Sequence, residues 1–140
     1  MAKEVEVPFF TTPGYSLPLL KAEMECPKIG GKVLIYALPD SGSRFSVLNS
    51  RVLQDCYDHV DSYYFDTVVI TNLGVYARRY RLKFSFVELG EELEIPVVAL
   101  DFSPTEAVFP SLILGREDFF SRWTICFEDN AKLIVRRRNA

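Results

Sequence analysis

The stretch Lys32-Val33-Leu34-Ile35-Tyr36-Ala37-Leu38-Pro39-Asp40-Ser41-Gly42-Ser43 decides how the rest of the chain is read. Lys32 to Leu38 is an apolar run of strand length, with Gly30 and Gly31 before it and Pro39 after it. Such a run predicts a strand buried on both faces. Asp40-Ser41-Gly42-Ser43 then breaks the strand sharply. A buried strand thus delivers one carboxylate onto a tight Ser-Gly turn. Taken alone, an Asp-Ser-Gly tripeptide is most simply a turn whose aspartate caps its own loop. The surrounding order of elements gives it more weight.

Upstream, residues 1–20 carry Pro8, Pro13, Gly14 and Pro18 and read as an extended N-terminal arm. Residues 21–140 read as one domain. Lys21 to Glu25 predicts a short strand, and Pro27, Gly30 and Gly31 a turn. Downstream, Phe45 to Leu48 predicts a return strand. Asn49 or Ser50 is placed to cap a short helix ending near Tyr57. Asp58 to Asp66 reads as a loop.

The clearest hairpin signal follows. Thr67 to Thr71 is rich in β-branched residues, and Asn72-Leu73-Gly74 can supply a turn with positive φ. In the return strand, Val75 to Val87, Tyr80, Leu82, Phe84 and Phe86 alternate with Arg79, Arg81, Lys83 and Ser85, the period of a half-buried strand. Leu93 to Leu100 is a further strand, in which Pro96 indicates an edge or bulge. Phe109 to Leu114 is apolar and stops at Gly115. Glu117 to Trp123 predicts a short helix with Glu117 and Asp118 in its first turn, where the dipole favours them. Thr124 to Glu128 and Lys132 to Arg136 predict a last hairpin around Asp129-Asn130. The expected fold is mostly β, with one or two short helices.

An apolar strand ending in Asp40-Ser41-Gly42, then a hairpin, then Leu112-Ile113-Leu114-Gly115-Arg116 before a short helix: in that order, from Lys21 to Arg136, the chain resembles the aspartic proteases of the retropepsin type. The resemblance implies a closed acid-protease β-barrel with one lobe per chain. It implies that Asp40 is catalytic, supported by Ser41, Gly42 and Ser43 of its loop. Ser41 would hydrogen-bond across a dimer, and Gly42 would let the backbone approach the carboxylates. Asn72, Leu73 and Gly74 would form the tip of a flap over substrate. Ile113, Leu114, Gly115 and Arg116 would form the later strand of a ψ-shaped loop. There is one Asp-Ser-Gly triplet, so the second carboxylate must come from a second copy of the chain. The implied activity is peptide-bond hydrolysis by a homodimer acting on a peptide or protein, with no metal and no organic cofactor.

A rival reading is a catalytically inactive retropepsin-like domain that serves dimerisation or peptide binding. Pro39, Arg44 and the single glycine of the hairpin turn favour it. In retroviral enzymes an acidic residue soon after the triplet pairs with the arginine that follows the late glycine. Arg44 and Phe45 occupy that stretch here, so Arg116 has another partner or none.

Composition narrows the alternatives. The chain has 140 residues, 49% of them hydrophobic and 25% charged, enough to bury a core without staples. A net charge of −3 leaves no global field for nucleic acid. Arg136-Arg137-Arg138 reads as a solvated tail, and Arg78 to Lys83 as an exposed strand face. Cys26, Cys56 and Cys126 show no CxxC spacing and read as buried free thiols of a reducing cytosol. No segment approaches the ~20 apolar residues of a membrane span, and Met1 to Val7 lacks the apolar core of a signal peptide. A cytoplasmic location is expected. His59 is the sole histidine and lies near no nucleophile motif, so a hydrolase triad has no support.

Overall fold

A computed structural model of the chain describes residues 4–71, 73–102 and 110–138. In chain order the strands are β1 (Glu4–Pro8), β2 (Phe10–Thr12), β3 (Tyr15–Leu17), β4 (Leu20–Cys26), β5 (Gly31–Pro39), β6 (Ser46–Asn49), β7 (Asp66–Ile70), β8 (Val75–Phe86), β9 (Glu91–Leu100), β10 (Leu112–Leu114), β11 (Trp123–Glu128) and β12 (Lys132–Arg137). One α-helix, α1 (Ser50–Cys56), follows β6. The side chain of Asn49 caps it by accepting the Arg51 N–H. No helix among the described residues is long and apolar enough to cross a membrane.

Alternation makes the barrel. β4 buries Leu20, Ala22, Met24 and Cys26 and turns the residues between them outward. β8 buries Tyr80, Phe84 and Phe86 in the same way. A strand apolar on one face must cover that face, and closing the sheet on itself does so while removing its edges. The ring runs β4-β5-β10-β6-β9-β8 and closes back onto β4 through Ala22↔Phe86 to Met24↔Phe84. Its interior holds Leu20, Ala37, Ile95, Val97, Leu112 and Leu114, each fully buried. The expected mostly-β barrel is present. Pro96 lies where β9 pairs with β8 alone, one residue before the β6 pairing starts at Val97, so it behaves as an edge residue.

Two features position the later site. First, β10 runs between β5 and β6, parallel to β5 (Leu114↔Pro39) and antiparallel to β6 (Leu112↔Leu48). Second, β7 stands outside the ring. It pairs only with the first part of β8, from Asp66↔Arg79 to Ile70↔Val75, so the hairpin tip projects beyond the barrel. Of the apolar stretch Phe109 to Leu114, Leu112–Leu114 form β10; Phe109 lies outside the described residues.

The N-terminal segment is strand-paired to its own chain. β1 pairs with β12 from Glu4↔Arg136 to Pro8↔Lys132, and β12 pairs with β11 on its other side. β2 and β3 form a separate hairpin. The β11–β12 turn has Asp129 and Asn130 at φ 56° and 51°, as those residue types allow.

Two expectations are corrected. The helix read over Glu117 to Trp123 is a π-helical turn, Arg116–Phe120, and Trp123 already belongs to β11. The buried Phe119 and Trp123 stack with centroids 6.3 Å apart, and the register Trp123↔Arg137 draws the chain into the sheet. The thiols also differ from expectation. Cys26 and Cys56, at the ends of β4 and α1, form a disulfide with Cα atoms 4.3 Å apart. Cys126 is free but exposed, on the outward face of its sheet in register with Ile134 and Glu6. A disulfide does not fit the reducing cytosol expected from the sequence.

The disulfide closes a loop across 30 residues, which by loop entropy stabilises the fold by roughly 3–4 kcal/mol. Reduction with dithiothreitol, or the pair Cys26→Ala and Cys56→Ala, is expected to lower the urea midpoint clearly. An unchanged midpoint would contradict the bond.

Candidate active site

β5 ends at Pro39, and the Asp40 N–H donates to the Leu114 carbonyl at 2.9 Å. This is the last rung between β5 and β10. Tyr36 also faces β10, accepting the Ser111 N–H at 3.0 Å. By alternation the nitrogen of Pro39 points the other way, where the β4 pairing has already ended at Leu20↔Ala37. Proline here therefore loses no ladder bond, and Asp40 keeps its own.

The turn after Pro39 is built around that aspartate. The Gly42 N–H donates to Asp40 Oδ1 at 2.9 Å, and the Ser43 N–H to the Asp40 carbonyl at 3.1 Å. A Cβ on Gly42 would lie 3.1 Å from Asp40 Oδ1, so glycine lets the backbone approach the carboxylate. Asp40 is half-buried, and Ser41 and Gly42 are exposed. Asp40 Oδ2 has no hydrogen bond among the described residues and is available to a ligand.

Behind the turn, Gly115 fills a space with no room for a side chain. A Cβ there would overlap the Phe45 carbonyl and lie 2.9 Å from the Ser46 nitrogen. The close approach lets the Gly115 N–H donate to Ser46 Oγ at 3.0 Å, while the Ser46 N–H donates to Asp118 Oδ2 at 3.0 Å. The Arg116 N–H reaches the Ser43 carbonyl at 2.9 Å and the Glu117 N–H the Arg44 carbonyl at 3.0 Å. Ile113 and Leu114 stand behind the site as barrel strand, with Leu114 in the core.

Ser46 has no assigned role in the sequence, and Asp118 reads there as an acidic residue of a helix's first turn, not as a buried partner of Ser46. Both are buried polar residues next to large apolar ones, Phe45 and Val47 for the serine, Phe119 and Phe120 for the aspartate. For Ser46 the available signal was a polar residue between two apolar ones; Asp118, preceded by Arg116 and Glu117, offered none. Burial raises the Asp118 pKa, and the Ser46 N–H and hydroxyl and the Arg79 charge oppose that shift.

The charged residues beside the triplet find partners in a way the sequence did not reveal. Arg44 pairs with Glu117 through two contacts, Nε to Oε2 at 3.1 Å and Nη2 to Oε1 at 3.3 Å. An acid–arginine pair therefore bridges the two loops with its signs reversed: the arginine follows the triplet, and the acid follows Gly115. Arg116 donates to the Ser41 carbonyl at 2.8 Å.

The hairpin lies across from this turn. The Ile70 carbonyl accepts the N–H of Leu73 at 3.1 Å and of Gly74 at 2.8 Å, and Gly74 takes φ 65°. Asn72 lies outside the described residues. A cleft of about 430 Å³ brings Val69, Ile70, Thr71 and Leu73 of the hairpin opposite Asp40, Gly42 and Ser43, with Arg44, Arg116 and Leu100 on its walls. The hairpin's base is tied to the same loop. Arg79 makes two bonds to Asp66, 2.8 and 2.6 Å, and lies over the rings of Phe45 and Phe65 at 5.4 and 5.1 Å. That side chain is half-buried, not the exposed strand residue expected. Its hydrogen bonds hold the Asp66 carboxyl below the usual carboxylate range. Among the described residues no cluster of three His, Cys, Asp or Glu side chains is placed to hold a metal ion.

No protein-family model and no curated protein sequence matches the chain. Solved structures do. A retropepsin-like aspartic protease from Rickettsia conorii is similar at a TM-score of 0.55 with 16% identity, over 98% of this chain and 92% of that one. The solution structure of simian foamy virus (mac) protease is similar at 0.48 with 22% identity, over 71% of this chain and 89% of that one. The Rickettsia likeness, over nearly the full length of both chains, shows that the fold is retropepsin-like.

Two substitutions test the packing behind Asp40. Gly115→Ala is expected to destabilise by about 3 kcal/mol, the upper end for overpacking, because its neighbours are backbone; a loss within error in urea unfolding would contradict the close approach. For Asp118, the folded pKa is raised. The group's contribution is therefore greatest below the ordinary aspartate value of about 3.9 and is lost as pH rises through the folded value. Unfolding free energies measured across that range should show this loss in the wild type and not in Asp118→Asn. Parallel profiles would contradict a buried, ionising carboxylate.

Proposed function

We propose that the chain is one half of an aspartic endopeptidase, active as a homodimer in which the Asp40 carboxylates of two copies meet. The observation that supports this best is the placement of Asp40: one oxygen held by the Gly42 N–H, the other unbonded among the described residues, opposite a projecting hairpin across a cleft. Among the described residues lining that cleft, Asp40 is the only carboxylate. Peptide hydrolysis at such a site needs a base and an acid together. One chain supplies one group, and a two-fold axis supplies the other.

Two carboxylates brought together share one proton, because ionising both at close range is costly. The ionised one takes a proton from water as the oxygen attacks the scissile carbonyl carbon. The protonated one donates to the carbonyl oxygen. Collapse of the tetrahedral intermediate breaks the C–N bond, and a carboxyl proton passes to the leaving nitrogen. Gly42 keeps the backbone close to the pair, and the Ser41 hydroxyl, exposed at the turn, bonds across the dimer. Leu73 and Gly74 form the tip that closes over substrate. The peptide lies extended beneath it, held by main-chain hydrogen bonds as an added strand. Val47, Val69, Ile70 and Leu100 in the cleft wall favour hydrophobic side chains at the cut.

Two features that favoured an inactive domain leave the catalytic placement intact. Pro39 costs β5 no rung, and Arg44 has its own acidic partner in Glu117. Asp40→Asn is expected to lower cleavage of a diverse peptide pool by about 10²–10⁴-fold or more, with the fold retained by circular dichroism. Full activity in the variant would contradict the assignment.

A further inference from the structure

The chain as a whole is acidic, with a net charge of −3, yet the charged groups lining the cleft are two arginines, Arg44 and Arg116, and one aspartate, Asp40. A concave site of sign opposite to the surrounding protein focuses its field on the ligand. We propose that Arg44 and Arg116 are specificity-determining residues, and that the enzyme selects peptides in which acidic side chains flank the hydrophobic residues at the cut. This rests on the endopeptidase reading above and names its substrate class.

The two arginines are free to take a carboxylate for different reasons. The Arg116 guanidinium has five N–H donors, and its partner is one main-chain carbonyl, that of Ser41. Among the described residues no carboxylate lies within 4 Å of it. Donors left beside a neutral oxygen still gain from meeting an anion. Arg44 is paired with Glu117, but in the open: the two side chains are 66% and 46% exposed. An exposed pair of that kind holds weakly, so a substrate carboxylate can share or replace Glu117. The Arg44 guanidinium also lies over the Phe45 ring at 4.8 Å, which presents a flat, oriented fork to the cleft rather than a mobile point charge. In the dimer each copy contributes one such pair. Four arginines then surround two Asp40 side chains that share a proton, and the field is repeated on both sides of the scissile bond. The cut itself stays hydrophobic, because Val47, Val69 and Leu100 line the cleft beside Asp40.

The test uses matched peptides of about ten residues, long enough to lie across the cleft as an added strand. They are identical around a central Leu-Phe bond and carry Glu, Gln or Lys two to four residues away on each side. Full-length protein is expected to show kcat/KM for the Glu peptides at least about tenfold above Gln, with Lys lowest. The preference should shrink as sodium chloride is raised. Arg44→Gln and Arg116→Gln should each lower the Glu-to-Gln ratio, and Arg44→Glu should move the preference toward Lys. Arg44 holds no barrel strand in place, so its variants decide the matter if Arg116→Gln does not fold. Equal rates for Glu, Gln and Lys, or an unchanged ratio in both glutamine variants, would overturn the proposal. If the wild type cleaves none of the peptides, the endopeptidase reading fails by itself. The charge preference is then read by fluorescence anisotropy of the same labelled peptides on Asp40→Asn protein. Tighter binding of Glu than Gln supports the proposal, and equal binding overturns it.

Discussion

The architecture depends on one close approach: Gly115 passing against the Phe45 carbonyl and the Ser46 nitrogen with no space for a side chain. β10 can lie between β5 and β6 only if the chain leaves it through that gap. With the gap open, the Asp40 N–H finds the Leu114 carbonyl, the Gly115 N–H finds Ser46 Oγ, and Asp118 takes the Ser46 N–H. The turn that carries Asp40 is thereby fixed from behind by main-chain bonds. A carboxylate placed to within hydrogen-bond precision needs such support, because loops alone are too mobile to hold reacting groups.

The features legible in the sequence were those carried by neighbouring residues. A buried strand ending in Asp-Ser-Gly, a β-branched strand ending in Asn-Leu-Gly, and aliphatics ending in Gly115 are local patterns, and the barrel assembled from them has a retropepsin-like fold. What stayed hidden were contacts between distant residues. Arg44 meets Glu117 across 73 positions and Ser46 meets Asp118 across 72. Periodicity carries no information about such pairs. The same holds for Cys26 and Cys56, whose partnership arises only when α1 folds back on the end of β4. Acidic residues at a helix start are a weak signal beside Trp123, which enters β11 with Phe119 stacked on it from the preceding turn.

The strand pairing also constrains the proposed dimer. β12 is taken on both sides by β1 and β11 of its own chain, so its edges are closed to a partner. The proposed dimer must therefore form through the Asp40 turns and through other surfaces, not by exchange of this C-terminal strand. The hairpin's tie to the Asp40 loop, Arg79 lying over Phe45 and bound to Asp66, holds the base of the hairpin and the triplet loop as one unit. In the proposed enzyme, motion over substrate is then confined to the tip, around Leu73 and Gly74.

The central claim is that each chain carries half of an active site. The most direct measurement mixes wild-type and Asp40→Asn chains after full subunit exchange and follows peptide cleavage against the wild-type fraction. If both Asp40 side chains are needed in one site, activity follows the square of that fraction, and an equal mixture keeps about one quarter of the wild-type rate. A linear dependence, with about one half retained, would mean that each chain acts alone and would contradict the account.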